Sequence, residues 1–327
     1  MERAKSTTNI YGGRRLYRWL MRYAAQLTFL ALLFIVLSLA TPVFLTAKNL
    51  INVMRQVSTN VFVACGMTLI LISGGIDLSI GSVMAMTGMV SAYLSLAGIP
   101  FFVCALVGLI TGGIAGLVNG FIIANTTMQL FIVTYSTQII LRGMVYVITA
   151  AGTLRLTSEA FLNFGGGSLG PIPWPVIYMV AVIILSVLVL NHTRLGRHIY
   201  AIGGNPKAAE FAGIDMKQVK TFIYTLSGIL SALSGLVLTS RNSSMQPSIA
   251  VGFEMDAIAA VVLGGTSMAG GQGAIAGTII GAFIIGFINN GLTLLRMDSF
   301  WQYIVKGVVI LIAVYLDFVK SQKLSKA

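Results

Sequence analysis

The feature that most constrains this chain is a series of about ten apolar runs of roughly 20 residues each, separated by short polar or Gly/Pro-rich breaks. They lie near 24–41, 56–73, 80–97, 101–124, 129–150, 174–191, 220–240, 249–265, 272–292 and 301–318. In helical form such a run matches the thickness of a bilayer's hydrocarbon core. Charge is scarce: 9% of residues are charged and 57% are hydrophobic, whereas a soluble domain carries about 25% charged residues. The chain therefore uses lipid as its solvent. The expected fold class is all-α, a polytopic transmembrane helical bundle of about ten spans. The stretch near 256–265 is too short to span alone, so broken or half-helices are expected within the bundle.

Arg14, Arg15, Arg18 and Arg22 precede the first apolar run, and Ser38-Leu39-Ala40 resembles a signal-peptide cleavage site. The run from Ala24 to Leu45 is long enough to cross a bilayer, which favours an uncleaved first span.

The basic residues give an independent test of the span count. With the N-terminus in the cytosol, six spans return residues 192–220 to the cytosol and four more return the C-terminus. That side then receives Arg3, Lys5, Arg14, Arg15, Arg18, Arg22, Arg194, Arg197, Lys207, Lys217, Lys220, Lys320, Lys323 and Lys326, which are 14 of the 21 basic residues. The outer side receives Lys48, Arg55, Arg155, Arg241 and Arg296; Arg142 and Lys306 fall within or at the edge of spans. This satisfies the positive-inside rule with both termini cytosolic. The net charge of +12 accordingly reports orientation and not nucleic-acid binding. The chain divides into a cytosolic segment 1–22, a transmembrane domain 23–319 with a cytosolic loop 192–220, and a tail 320–327.

The loop is the one long charged island. Within it Asn205 suits an N-cap, Pro206 the first helical position and Gly213 the residue after a helix end, so a helix of about two turns is expected over 206–212. It is too short to be stable alone; the membrane domain or a docking partner must hold it.

Glycines recur at four-residue spacing in two places: Gly108, Gly112, Gly116 and Gly120, then Gly273, Gly277 and Gly281. That spacing puts them on one helix face and allows close helix approach, within a subunit or between two copies. Two Gly-rich breaks, 73–81 and 263–271, share three glycines at a constant offset (74/264, 75/265 and 81/271). Paired breaks of this kind can mark broken helices at a transport site, though coincidence explains the match equally well.

Ionisable and amide side chains inside apolar runs are the candidate path residues. Asp77 is expected to cap the helix that follows it by accepting from backbone near Ser79 and Ile80, with a role along a substrate path second. Asn60, Ser79, Asn289 and Asn290 join it as path candidates; Asn119 and Gln302 are read as interhelical hydrogen-bonding groups. Glu254 and Asp256 are expected to cap the short run that follows them or to pair with Arg241. Arg142 is expected to snorkel or to form a structural ion pair. Cys65 and Cys104 lie in apolar runs and make neither a disulfide framework nor a metal set. No catalytic constellation and no phosphate loop is present, so the chain does not read as an enzyme.

Several blocks carry a resemblance. Gly74-Gly75-Ile76-Asp77-Leu78-Ser79-Ile80-Gly81-Ser82, His192-Thr193-Arg194-Leu195-Gly196-Arg197 with Ala201-Ile202-Gly203-Gly204-Asn205, and Asp256 through Ser267 followed by Gly270-Gly271 resemble, in order, the motifs of monosaccharide ATP-binding cassette importer permeases of the ribose type. Asn289-Asn290-Gly291-Leu292 and Trp301 through Gly307 fit as well. The resemblance implies a membrane subunit that works as a pair in a bacterial inner membrane. It implies a tandem cytosolic ATPase that binds ATP and Mg, an exported sugar-binding protein, and alternating access for a pentose or hexose. Asn205, Pro206, Lys207, Ala208, Ala209, Glu210, Phe211, Ala212 and Gly213 would then form the coupling segment seated in the ATPase. An ion-coupled carrier or a non-transporting scaffold is the alternative.

Overall fold

The computed structural model describes residue 21 and residues 23–325. Arg3, Lys5, Arg14, Arg15, Arg18, Arg22 and Lys326 lie outside the described residues, and with them most of the first segment of the sequence reading. The apolar runs become helices almost one for one. They are α1 (Ala24–Ala40), α2 (Ala47–Ile72), α3 (Ile80–Leu96), α4 (Phe101–Asn125), α5 (Leu130–Ile148), α6 (Glu159–Gly166), α7 (Trp174–His192), α8 (Arg194–Gly204), α9 (Pro206–Phe211), α10 (Met216–Arg241), α11 (Phe253–Leu263), α12 (Ile275–Leu294) and α13 (Ser299–Ser325). Six of these (α2, α4, α5, α7, α10 and α12) are long and apolar enough to cross a membrane, and α1 and α3 are shorter apolar helices.

Two differences from the sequence reading stand out. α2 begins at Ala47, not near 56: Thr46 caps it, its hydroxyl accepting from Asn49 N–H at 3.3 Å, and the helix carries Lys48 and Arg55 in its first three turns. α8 has no counterpart in the sequence reading. Its apolar residues are few, but Thr193 caps it and Ile199 and Ile202 are buried.

α2 is the axis of the molecule. Every residue from Val57 to Ser73 is buried, because α10, α12, α7 and α11 surround it. α4, α5 and α7 bury only a minority of their residues, and their apolar side chains form the outer face, as a helix meeting lipid requires. Between α5 and α7 the chain forms α6 and a small antiparallel ladder, and a second ladder joins this region to the residues after α10. One pairs Leu154 with Met245, and the other pairs Ser168 with Pro173.

The glycine rows explain the closest helix pairings. A β-carbon on Gly112 would lie 2.5 Å from Gly228 O, one on Gly116 2.2 Å from Tyr224 O, and one on Gly120 2.7 Å from Thr221 Cα, so α4 lies backbone to backbone against α10. Gly108 meets the hydroxyl of Ser91 on α3. On α12, β-carbons at Gly277 and Gly281 would meet Gly264 O at 2.0 Å and Ala260 O at 1.9 Å, at the end of α11. Both rows are thus occupied within one subunit. Gly273 is not on that helix face; it precedes α12 and packs on Thr266.

Candidate functional site

The break between α2 and α3 is irregular and mostly buried backbone. Such backbone must be satisfied by protein groups. Gly75 N–H donates to Ile70 O at 2.9 Å, and Tyr224 Oη donates to Ile76 O at 3.0 Å. Asp77 Oδ1 accepts from Ser79 N–H at 2.9 Å and from Ser79 Oγ at 2.6 Å, so the carboxylate closes the turn into α3. Asn119 of α4 donates to Ser79 Oγ at 2.9 Å and accepts from Thr137 of α5 at 2.6 Å. Asp77 and Ser79 therefore stand in a buried chain that ties three helices together.

The two Gly-rich breaks meet. Gly271 N–H donates to Ile72 O at 2.8 Å, and Gly270 lies against Gly74. The match at constant offset is not a match of conformation: Gly74 and Gly265 have left-handed φ of 79° and 87°, Gly264 does not, and Gly81 is helical where Gly271 is left-handed. The end of α8 joins the same junction. Gly203 touches Ile72 O and Gly271 N so closely that no side chain fits, and Tyr200 Oη donates to Gly273 O at 2.9 Å.

From this junction α9 projects outward. Asn205 Oδ1 accepts from Ala208 N–H at 3.0 Å, Gly213 takes a φ of 78°, and Ile214 N–H returns to Ala209 O at 3.1 Å. The helix ends at Phe211, one residue short of the sequence expectation. Ala209, read from sequence as part of a docking surface, is 3% exposed and faces the membrane domain, while Phe211 is 92% exposed. Lys207 and Glu210 are exposed beside it.

Midway along α2, four helices line a cavity of about 120 Å³ with polar and apolar groups in about equal share. Gln56 and Asn60 of α2, Phe253 and Asp256 of α11, Gly286, Asn289 and Thr293 of α12, and Gln302 and Lys306 of α13 line it. Asn60 lies about 18 Å along the helix axis from Ile72. Lys306 Nζ and Asn289 Nδ2 donate to Asp256 Oδ2 at 3.0 Å and 3.1 Å. The amide oxygens of Asn60 and Asn289 are buried without a hydrogen-bond partner among the described residues.

The structure thus brings together two of the five path candidates, Asn60 and Asn289. Asp77 and Ser79 belong to the other network, and Asn290 is taken up in a reciprocal amide pair with Asn49 at 2.9 Å and 3.1 Å. Asp256 pairs with Lys306, not Arg241: α13 returns beside the first turn of α11 and supplies the nearer cation. Glu254 faces Gln138 at 3.4 Å. Arg142 does not snorkel; its guanidinium donates to Pro247 O at 2.7 Å and Ile249 O at 2.8 Å, fixing the approach to α11. The signal for the Lys306–Asp256 pair was present in the sequence, since a lysine within an apolar run demands an acid, but no spacing rule says which acid.

Comparison with known proteins decides the family. The profile described as "Branched-chain amino acid transport system / permease component" matches residues 49–314. The chain is 44% identical over 317 residues to the ribose import permease protein of Escherichia coli (strain K12), covering 95% of this chain and 98% of that one. The chain belongs to this permease family. The ribose import permease protein of Bacillus subtilis (strain 168) is 45% identical to the permease over 294 residues, covering 89% of this chain and 91% of that one. The D-allose transport system permease protein of Escherichia coli (strain K12) is 40% identical over 281 residues, covering 86% of each. A solved metal-chelate type ABC transporter in an inward-facing conformation shares the fold, with a TM-score of 0.53 at 15% identity over 90% of this chain and 99% of that one. The protein is a multi-pass membrane permease, the membrane subunit of an ABC importer. This sets aside the ion-coupled carrier and the scaffold.

Proposed function

We propose that the permease moves a monosaccharide, ribose or a sugar close to it, inward across a bacterial inner membrane by alternating access. Energy comes from ATP and Mg bound by a separate tandem ATPase. Two copies of the permease form the pathway, an exported sugar-binding protein loads it, and both termini lie on the ATPase side. The names of the relatives support the sugar, and the distribution of basic residues supports the orientation.

The observation that carries the reading is the seating of α9. Its rear, Ala209, is fixed to the membrane domain, and its front offers Phe211 with two flanking charges. A large, exposed aromatic tip on a helix held from behind suits insertion into a pocket of a partner, since aromatic anchors in pockets dominate interface energetics. The docked helix is continuous with α8, and α8 is locked into both helix breaks, so a push on α9 reaches α2 and α12 through backbone contacts.

The experiment is co-purification of the ATPase with Phe211→Ala and Phe211→Glu permeases. Truncating an interface anchor costs about 2 kcal/mol or more, so Phe211→Ala is expected to weaken binding about 30-fold and Phe211→Glu to abolish it, with normal permease levels in the membrane. Full ATPase recovery with Phe211→Glu would show that α9 is a connector and not the coupling element.

A further inference from the structure

We infer that Asn119 is a positioning residue of the transport cycle, a releasable joint through which movement of the break between α2 and α3 reaches α5; the inference rests on the transport reading above.

The joint is a chain of side-chain hydrogen bonds that runs in one direction. Asp77 Oδ1 accepts from Ser79 N–H at 2.9 Å, so it accepts from Ser79 Oγ at 2.6 Å as well. A hydroxyl has one proton, and Ser79 spends it on Asp77. Toward Asn119, Ser79 Oγ can then only accept. This turns the amide so that Nδ2 faces Ser79 at 2.9 Å and Oδ1 faces the Thr137 hydroxyl at 2.6 Å. Asn119 is fully buried, and it stands on α4, whose Gly116 and Gly120 lie against the backbone of α10. The post is rigid, and the parts that can move are on either side of it. On one side is the break, which meets the junction with α8 through Ile72 and Gly74. On the other is α5, of which only Val133, Thr134 and Val145 are buried. Arg142 fixes α5 by two bonds to the approach to α11, at 2.7 Å and 2.8 Å, and Gln138 adds a long contact to Glu254 at 3.4 Å. About 7.5 Å nearer the start of the helix than Arg142, Thr137 makes its single bond to Asn119.

Thr137 is the group that can let go. Other threonine hydroxyls in the bundle donate to the carbonyl four residues earlier in their own helix, as Thr111, Thr225 and Thr293 do at 2.8 Å, 2.8 Å and 2.9 Å. For Thr137 the same acceptor is Val133 O, reached by a turn about the Cα–Cβ bond. If the break draws Ser79 aside, Asn119 Nδ2 loses its acceptor and the amide turns. The Thr137 proton then passes to Val133 O, no donor on α5 is left unpaired, and the start of α5 is free to swing about Arg142.

The test uses the complete importer, with permease, ATPase and binding protein reconstituted in vesicles, and reads the radiolabelled D-ribose delivered per ATP hydrolysed. Thr137→Val keeps the shape of the side chain and removes the donor. It is expected to keep ATP hydrolysis and to lower the sugar delivered per ATP about three- to tenfold, the worth of one hydrogen bond between helices in lipid. Thr137→Ser, which keeps the hydroxyl, should restore the wild-type ratio. Thr134→Val removes a hydroxyl that bonds within α5, to Leu130 O and Phe131 O, and should leave the ratio unchanged. Ser79→Ala breaks the chain on the other side of Asn119, and combined with Thr137→Val it should lose no more than the worse single variant. A residue that only stabilised the fold would lower the melting temperature and the yield of complex, and the assembled complex would keep its ratio. If Ser79→Ala does not assemble, the three threonine variants decide. An unchanged ratio in Thr137→Val, or an equal loss in Thr137→Ser, overturns the joint while leaving the importer intact. Fully additive losses in the double variant would show that Asn119 does not link the two sides. Absence of any ATP-dependent uptake of D-ribose by the wild-type complex overturns the transport reading beneath it.

Discussion

Gly116→Ala and Gly113→Ala form a controlled pair for the packing that supports the whole bundle. Both replace a glycine in the middle of α4 by alanine, so both gain the same helix propensity, about 1 kcal/mol. They differ in what the new methyl meets. At Gly113 the nearest atom is Ile229 Cγ1 at 3.3 Å, the movable part of a side chain. At Gly116 it is Tyr224 O at 2.2 Å, with Tyr224 C at 2.9 Å and Thr225 Cα at 3.0 Å, all backbone. Relief at Gly116 requires α4 and α10 to part by about 1 Å, and overpacking of this kind costs about 1–3 kcal/mol. Subtracting one variant from the other removes the propensity gain and leaves that cost. For a chain of this size it corresponds to a difference in melting temperature of about 2–6 °C. The assay is thermal unfolding of the two purified variants in the same detergent. Gly113→Ala is expected at or slightly above the wild type and Gly116→Ala clearly below it. Equal melting temperatures would show that α4 and α10 are not in backbone contact and would refute the packing argument.

Other expectations follow from single contacts. Ala209→Asp places an unpaired charge on the buried side of α9, a cost of several kcal/mol, so this variant should be lost from the membrane, in contrast to the normally assembled Phe211→Glu; normal levels of Ala209→Asp in a membrane fraction would contradict the seating of α9. Asp256→Asn should leave Lys306 without its partner and lower stability by up to about 3–5 kcal/mol, less to the extent that Lys306 reaches water. Adding Lys306→Met should restore much of that loss, and a double variant no more stable than Asp256→Asn alone would show that the pair is not coupled.

The helix plan was legible because long apolar runs admit few alternatives in lipid, and caps such as Asn205 with Pro206 fix a helix start locally. The junction was not. Gly203, Gly271 and Ile72 come from three distant parts of the chain, and nothing local in any of them shows that their backbones touch. α8 was missed because its buried face consists of only a few residues such as Ile199 and Ile202, among basic residues that read as loop. The side of α9 that Ala209 occupies was misread because a small residue suits both a docking face and a buried one. The cavity was half legible: Asn60 and Asn289 were visible as amides in apolar runs, yet Asn290, one residue along, turns instead to Asn49. A rotation of about 100° per helical residue separates the cavity from the helix interface, and only the placement of neighbouring helices fixes which amide faces which.

The central claim is that this permease couples ATP hydrolysis on a partner to inward movement of a monosaccharide. The most direct measurement is uptake of radiolabelled D-ribose into vesicles containing the permease and its ATPase, with the binding protein outside and ATP supplied on the ATPase side. The account predicts uptake that requires ATP and both partner proteins and that stops when α9 carries Phe211→Glu. Equal uptake without ATP, driven by an ion gradient, would contradict it.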